Sequence, residues 1–221
     1  TFKNFEVLII DNGSDQEDTL SALKEYANEY QLIRIEEASL PLARNVGMKH
    51  AKGNYILPLD SDDIISPSFI EKCLDLMKSD PACKVVRTQV RLFGKKKGVL
   101  VFADYSYSLL LARNLMVVTS LFKKEDALAV GGYDVDLHFA SEDWEFWINL
   151  LKDGGKVLTV NEPLFHYRIL RGSKNRSIKL EEYSKARRMI WEKHRALFSK
   201  HFLDPNESFE YQLITESMAY R

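Results

Sequence analysis

Two short apolar runs, each ending in an acidic turn, constrain the fold of this chain more than any other feature. The first run covers residues 5–10 and leads into the turn at 11–14 (DNGS); the second covers residues 55–59 and leads into the turn at 60–63 (DSDD). A short apolar run bounded by turn residues is typical of a buried strand. Between the two runs the apolar spacing is helical, then strand-like, then helical again. This alternation predicts an α/β domain with a largely parallel sheet.

The size and charge of the chain limit its class. Its 221 residues fit one domain, or one domain with a short appendage. The 31 basic and 32 acidic side chains leave a net charge of −1, which argues against a general nucleic-acid binder. Cys73 and Cys83 form no ligand cluster and are predicted to be reduced and buried. No apolar run approaches the ~18 residues of a spanning helix and no signal peptide is visible, so we expect a cytoplasmic location.

Later segments of the chain continue the same kinds of pattern. Ser66 and Pro67 predict the start of a helix, as N-cap and first helical residue. Ser141 is predicted to cap a helix that ends near residue 153. The remaining predicted elements are a strand over 83–93, a hairpin tip at 95–97, helices over 105–113 and 124–130, strands over 117–122, 156–160 and 163–168, and one long amphipathic helix over 179–202 that Pro205 breaks.

The second acidic turn has the composition of a cation site. Ligands of open α/β sheets bind beyond the carboxyl ends of the strands, and Asp60 and Asp62, two residues apart, can aim at one point there. Mg²⁺ and Mn²⁺ are commonly held by one or two carboxylates together with substrate phosphates. A solvated acidic loop is the alternative, and the turn alone does not decide between the two.

Motifs distributed over residues 2–168 resemble those of glycosyltransferase family 2. They occur in the order and spacing of that family, which makes the signal far more specific than one acidic pair. The segments that carry the resemblance are 2–15 (FKNFEVLIIDNGSD), 43–47 (ARNVG), 51–56 (AKGNYI), 59–63 (LDSDD), 131–134 (GGYD, where the family pattern is GGFD), 142–147 (EDWEFW) and 167–173 (YRILRGS).

The resemblance implies a GT-A fold with a mostly parallel central sheet flanked by helices. It also implies transfer of a sugar, with inversion, from a nucleoside-diphosphate-sugar donor to an acceptor hydroxyl, with a UDP-sugar as the expected donor. On the donor side, Asp62 would bind Mn²⁺ or Mg²⁺ together with Asp60, which would also contact the ribose. Asp11 and Asn12 would line the base pocket, and Arg44 would contact the base or the diphosphate. A plain surface arginine is the alternative for Arg44.

On the acceptor side, the resemblance implies that Asp143 is the general base. Glu142 points about 100° away around a helix of 3.6 residues per turn, so only one of the two faces the sugar, and Glu142 is expected to contact the acceptor. Gly132 would let the backbone pass close to the donor sugar, or would instead end the preceding helix. Trp144 would stack on a sugar, or would instead pack in the core. Arg168 would contact the diphosphate.

The chain departs from the family pattern in three places. The family's opening strand and helix do not precede Thr1, so we expect either residues upstream or a neighbouring chain to supply that strand. The strands at 5–10 and 54–59 should then lie beside the same slot without bonding to each other. Asn12 stands where the family often has aspartate. Leu170 replaces a late histidine, so Arg171 or Lys174 could share the diphosphate contact with Arg168.

The pattern change after the last motif predicts two parts: a GT-A domain over 1–168 and a C-terminal helical extension over 169–221. The helix at 179–202 is basic and amphipathic, so it could lie on the inner face of the plasma membrane and serve lipid-linked acceptors. The alternative is a helix packed on the domain with a solvated basic face. A saccharide acceptor and a homodimer are also expected possibilities.

Three functions compete for these motifs. The first is a metal-dependent inverting glycosyltransferase of cell-surface polysaccharide or glycolipid synthesis. The second is a haloacid-dehalogenase-like phosphohydrolase, which would use the turn at 59–63 as a nucleophile motif but would not need the motifs at 131–147. The third is a non-catalytic module, or an inactive remnant, that binds nucleotide sugars.

Overall fold

Two β-sheets with helices packed around them form the fold, in a computed structural model that describes residues 1–170, 178–202 and 206–207. The strands are β1 (Leu8–Asn12), β2 (Gln31–Ile35), β3 (Tyr55–Ile56), β4 (Ile64–Ile65), β5 (Cys83–Gly94), β6 (Gly98–Leu100), β7 (Leu121–Lys123) and β8 (Lys156–Ile169). A small sheet pairs β1 with β2, and a larger one has the order β3-β7-β5-β8-β4 with β6 beside β5. The α/β fold class is confirmed.

The two longest ladders among the described strands are parallel, but the other four are antiparallel, so the large sheet is mixed where the sequence predicts a mostly parallel one. β5 and β8 pair in parallel from Cys83 opposite Lys156 to Gly94 opposite Ile169, and β1 pairs in parallel with β2, whereas the short strands pair antiparallel. The prediction of two strands at 156–160 and 163–168 is wrong, because β8 is one strand. Its register shifts opposite residues 88–90, and this bulge contains Pro163, which has no N–H to donate to a ladder.

The helices follow the predicted order with shifted ends. They are α1 (Glu17–Tyr26), α2 (Leu40–His50), α3 (Phe69–Ser79), α4 (Tyr107–Ala112), α5 (Lys124–Ala129), α6 (Glu142–Leu151), α7 (Leu180–Lys193) and α8 (Arg195–His201). Ser66 and Pro67 form the turn before α3 instead of its first residues, since the Phe69 N–H bonds to the Ser66 carbonyl. Ser141 occupies the predicted N-cap position, directly before Glu142, but it has φ of 61° and its side chain makes no cap hydrogen bond.

The larger sheet has a hydrophobic cluster on each face. Neighbouring residues of a strand point to opposite faces, so Val85 and Phe122 join one cluster while Val86 and Leu121 join the other. Helices α4, α6 and α7 contribute to the first cluster and α3 to the second. The cysteines of α3 and β5 are free and buried, as predicted.

Helix α6 is buried along nearly its whole length. Phe146 and Trp147 are fully buried, and burial of such side chains stabilises a fold by about 1.5–3 kcal/mol each. Glu145 is fully buried too, and its Oε1 lies 2.7 Å from His194 Nε2 and 3.0 Å from Lys193 Nζ. Helix α6 is therefore fixed by the packing of its apolar side chains in the core and by the contacts of Glu145 with the C-terminal end of α7.

The long helix predicted over 179–202 is two helices, which meet at His194 where the backbone leaves helical geometry. Ala186, Ile190 and Phe198 are buried in the core cluster of α6, so the apolar face of this segment packs on the domain. This packing agrees with the alternative prediction, in which the helix packs on the domain and exposes its basic face. Contact with a membrane and formation of a homodimer stay predictions. Among the described residues, no helix has the length and hydropathy needed to cross a bilayer.

The two strands that precede the acidic turns, β1 and β3, belong to different sheets. β1 lies in the small sheet and β3 at the edge of the large one, so within the described residues they are not paired with each other, as the sequence predicts. Glu6 Oε1 accepts hydrogen bonds from the N–H groups of Lys52 (2.5 Å) and Gly53 (2.9 Å), which ties the approach to β1 to the loop before β3. That a further strand lies between the two sheets stays a prediction.

Candidate active site

The three carboxylates of the turn at 60–63 have different surroundings. Asp63 is buried and accepts the backbone N–H of Arg168 at 2.7 Å; burial raises its pKa to about 6, with the charges of Asp62 and Asp60 adding to the effect. Asp60 pairs with Arg44 at 3.4 Å. The Asp62 side chain is exposed and, within the described residues, accepts no hydrogen bond. Asp63 is therefore structural, while Asp62 is available to a ligand.

Arg168 lies beside this turn, where the sequence predicts a diphosphate contact. The pairing of β4 with β8 brings it there, and its Nε donates to the Asp62 carbonyl at 2.6 Å. Its guanidinium lies 4.5 Å from the ring centre of Phe93. The other two basic residues predicted for this contact, Arg171 and Lys174, lie outside the described residues.

Arg44 connects the acidic turn to the start of α6. Its Nη1 donates to Glu142 at 2.6 Å, its Nη2 lies 3.4 Å from Asp60, and its side chain is 10% exposed. Residues 98 positions apart in the chain, at 44 and 142, are thus in direct contact. Glu142 pairs with Arg44 here, a role that the sequence did not predict.

Asp143 lies next to this pair and is held in place by two N–H donors. Its Oδ1 accepts the Trp144 N–H at 2.8 Å, and its Oδ2 accepts Asn114 Nδ2 at 3.0 Å. Burial, and then the neighbouring charge of Glu142, raises its pKa to about 7, although Arg44 and the two hydrogen bonds oppose the rise. A carboxylate that titrates near neutrality is suited to general base catalysis.

The loop before this helix is clamped by an asparagine. Asn45 Nδ2 donates to the Tyr133 carbonyl at 2.7 Å, and Asn45 Oδ1 accepts the Tyr133 N–H at 2.8 Å. Gly131 and Gly132 have φ of 87° and 77°, and the Gly132 N–H bonds to the Ala127 carbonyl, which ends α5 as the alternative interpretation predicted. A Cβ on Gly132 would lie 2.3 Å from Asn45 Oδ1. Gly132 thus gives Asn45 room to bind the loop.

The two glycines allow a matched comparison. We expect Gly132→Ala to lower the free energy of unfolding by about 2–5 kcal/mol, because a left-handed backbone strain and a steric clash act together. Gly131→Ala should cost only about 1–2 kcal/mol, since it meets nothing within 4 Å and suffers the strain alone. Denaturant unfolding of the two variants measures this difference, and equal losses would show that the Asn45 contact is unimportant.

Asp11 and Asn12 lie at the carboxyl end of β1, where the base pocket is predicted. Asp11 is buried, pairs with Arg34 Nη1 at 2.5 Å and accepts the Ser14 N–H at 2.9 Å. Asn12 Oδ1 accepts the Ser39 N–H at 2.7 Å, directly before α2. Both side chains therefore shape the loop that would receive a base, and their contact with a nucleotide stays a prediction.

Trp144 is a core residue. It is 5% exposed, its Nε1 donates to the Leu110 carbonyl at 2.7 Å, and the Arg187 guanidinium lies 4.9 Å from its ring. Its burial supports the alternative prediction, packing in the core, and leaves sugar stacking by Trp144 an unsupported prediction. Sequence reasoning missed Asn114 and Asn45 instead, since an isolated asparagine gives no signal of its contacts.

Solved structures with the same fold identify the class. TarS 1–349 of S. aureus in complex with UDP-GlcNAc has a TM-score of 0.70 at 18% identity, over 84% of this chain and 56% of that one. The mannosyltransferase PcManGT of Pyrobaculum calidifontis, in complex with GDP-Man and Mn²⁺, has a TM-score of 0.60 at 16% identity, over 97% and 66%. The fold is that of the GT-A glycosyltransferases.

Sequence comparison then narrows the class to a family. Residues 1–115 match the model of glycosyl transferase family 2, and this chain belongs to that family. The O-antigen biosynthesis glycosyltransferase WbnJ of Escherichia coli is 28% identical over 189 residues, which are 80% of this chain and 73% of WbnJ. The cholesterol galactosyltransferase of Borreliella burgdorferi is 29% identical over 113 residues, 48% of this chain and 31% of that protein.

The relatives are longer than this chain to different extents. The chain spans 73%, 58% and 31% of three of the curated relatives it matches. Family membership favours the glycosyltransferase hypothesis over the phosphohydrolase. The roles of individual site residues are proposals, developed below.

Proposed function

We propose that this chain is the catalytic part of a metal-dependent inverting glycosyltransferase. It moves a sugar from a nucleoside-diphosphate-sugar, first of all a UDP-sugar, to a hydroxyl of a saccharide or lipid-linked acceptor of the cell surface. The observation that carries the proposal is the bridge by Arg44, which brings the acidic turn and the start of α6 into one site. Relatives named for O-antigen biosynthesis and cholesterol galactosylation support both kinds of acceptor.

The donor side of the site suits a divalent cation. The described residues hold no cluster of three His, Cys, Asp or Glu side chains able to bind a metal alone. Asp62, with its unpartnered exposed carboxylate, and Asp60 supply the one or two oxygens that Mn²⁺ or Mg²⁺ takes when phosphates complete its shell. The bound metal would offset charge on the leaving diphosphate. Arg168 would contact that diphosphate, and Asp11 and Asn12 the base.

The acceptor side requires a base beside the anomeric carbon. Asp143 would take the proton of the acceptor hydroxyl while the oxygen of that hydroxyl forms a bond to the anomeric carbon. The bond between this carbon and the diphosphate oxygen breaks on the opposite side, so the configuration is inverted. Asn114 and the Trp144 N–H orient the carboxylate for this transfer. Glu142 holds Arg44 and, through it, the relation between the two sides of the site.

The pH dependence of turnover follows from the pKa of Asp143. Only the deprotonated carboxylate accepts a proton, so kcat/KM should fall about tenfold per pH unit as pH drops below about 7. The measurement is kcat/KM between about pH 5 and pH 9 with saturating Mn²⁺, together with the affinity for the nucleotide at each pH. A profile that stays flat through pH 7, with nucleotide binding intact, would contradict the assignment of the base.

The test of the proposed function is turnover of a panel of UDP-, TDP- and GDP-sugars with and without Mn²⁺. We expect metal-dependent release of one nucleoside diphosphate, with the sugar on an acceptor such as a hexoside or a lipid-linked saccharide. Binding of a nucleotide sugar without turnover would indicate a non-catalytic module instead. Binding of none would refute the proposal.

A further inference from the structure

Arg87 is a charged side chain in the core of the protein. It lies on β5 two residues after Val85, so it points to the same face of the large sheet, the face that α4 and α6 cover. Arg87 is only 2% exposed, and in the described part of the chain no carboxylate forms an ion pair with it. Burying a charge is costly unless an opposite charge or hydrogen bonds offset it. Burial lowers the pKa of Arg87 to about 10, which still leaves the group charged at neutral pH.

The Arg87 guanidinium binds three oxygens in place of a carboxylate. Its Nε donates to the hydroxyl of Thr159, the residue opposite it on β8, at 2.9 Å. Its Nη1 donates to the Leu115 carbonyl at 2.5 Å, and its Nη2 donates to the Ala103 carbonyl at 2.6 Å. The last two carbonyls lie on either side of α4 in the chain. One side chain of the sheet therefore holds both ends of the segment 103–115.

One of these contacts lies next to the candidate base. Leu115 follows Asn114, whose Nδ2 donates to Asp143 Oδ2 at 3.0 Å. Asn114 Oδ1 accepts the Met116 N–H at 3.1 Å, so the amide group is held at both of its ends. Residues 113–120 belong to no helix or strand, so regular backbone hydrogen bonding does not fix this stretch. The guanidinium supplies a fixed point for the backbone directly beside the asparagine.

Packing alone does not require an arginine at this position. An unbranched apolar side chain such as methionine would fill much of the same space without the cost of burying a charge. It would, however, leave the carbonyls of Leu115 and Ala103 without this donor. The planar guanidinium carries several N–H groups in a fixed arrangement, so it can bind both carbonyls and Thr159 at once.

We propose that Arg87 is a positioning residue for the base: it fixes the Leu115 carbonyl and so holds Asn114 where its amide orients Asp143. This inference rests on the proposed function. Arg87 itself touches neither the carboxylate nor a substrate, and its effect on catalysis passes through Asn114. A small displacement of a catalytic group is enough to slow a reaction strongly, because the reacting atoms must be aligned.

The test is a double-mutant cycle on kcat that combines Arg87→Met with Asn114→Ala. We expect each single change to lower kcat about 3- to 30-fold, as for residues coupled in one hydrogen-bond network. The KM for the donor should stay unchanged, because the base acts on the acceptor side. In the Asn114→Ala background, Arg87→Met should lower kcat by less than about twofold, since the contact through which it acts is already lost. Independent, multiplying losses would overturn the inference, and so would a raised KM with an unchanged kcat.

Met77→Ala is the matched control for a loss of stability. Met77 is 2% exposed and belongs to the cluster on the opposite face of the large sheet. Its truncation should lower the melting temperature but leave kcat unchanged at temperatures where the protein is folded. A loss of kcat like that of Arg87→Met would show that kcat follows stability alone, and it would overturn the inference.

A second substitution keeps the test decisive if Arg87→Met does not fold. Arg87→Lys retains the charge, but a single ammonium group cannot reproduce the fork of a guanidinium, so the same cycle is measured with this variant and the same outcomes decide. A wild type that turns over no nucleotide sugar refutes the proposed function itself. A wild type that is active while Arg87→Lys and Arg87→Met both keep its full kcat overturns only the inference.

Discussion

Replacement of Asp143 by asparagine is expected to lower kcat by about 10²–10⁴-fold, the usual contribution of a positioned general base. The amide keeps the size of the side chain and its one oxygen can still accept the N–H of Trp144, whereas its NH2 group cannot accept the hydrogen bond from Asn114 Nδ2. The affinity for the donor should change little, because the role proposed for Asp143 is on the acceptor side of the site. Stopped assays of product formation with saturating donor and acceptor measure the loss.

Two further variants make this result specific. Asp153→Asn removes an exposed carboxylate two residues beyond the end of α6 and should leave kcat unchanged. Glu142→Gln weakens the ion pair with Arg44 and should raise the KM for the donor more than it lowers kcat. A crippled kcat in Glu142→Gln together with a mild effect of Asp143→Asn would reverse the two roles.

The second large effect is expected at the acidic turn. Asp62→Asn should abolish the Mn²⁺-dependent stabilisation by a nucleoside diphosphate, because it removes the one carboxylate of the turn that has no partner in the described structure. The unliganded protein should melt close to the wild-type temperature, since the side chain is exposed. Thermal unfolding with UDP, with Mn²⁺ and with both separates these contributions.

Asp63→Asn is the matched control for this variant. It makes the same chemical change one residue further along, where the carboxylate is buried and accepts the Arg168 N–H. An amide oxygen can accept the same bond, so the variant should fold and keep the Mn²⁺-dependent response. If Asp62→Asn responded to Mn²⁺ and UDP as strongly as Asp63→Asn, Asp62 would not be a metal ligand.

The order of strands and helices was predictable because it depends on local apolar spacing. The errors lie where tertiary contacts override that spacing. The break at His194 coincides with a contact to Glu145, which is 49 positions away in the chain. The continuity of β8 depends on its ladder with β5, which carries the strand through the bulge around Pro163.

The site was predictable to the extent that its residues stand in motifs. The acidic turn, Arg44 and the pair at 142–143 carry the family pattern, and the structure brings them together. Asn114 lies 29 positions from Asp143 and Asn45 lies 88 positions from Tyr133. A sequence records no such pairing, because the hydrogen bond exists only after the chain has folded.

The buried carboxylate of Glu145 has a consequence for how this enzyme can be divided. It lies on the same helix as Asp143, and its two basic partners, Lys193 and His194, belong to the segment beyond residue 168. A fragment cut at that point would keep the motifs up to 142–147 and yet leave a charge buried without counterions, which is strongly destabilising, by about 3–5 kcal/mol. We therefore expect the C-terminal helices to be part of the folded domain that carries the candidate site, and the smallest stable fragment to extend at least through His194.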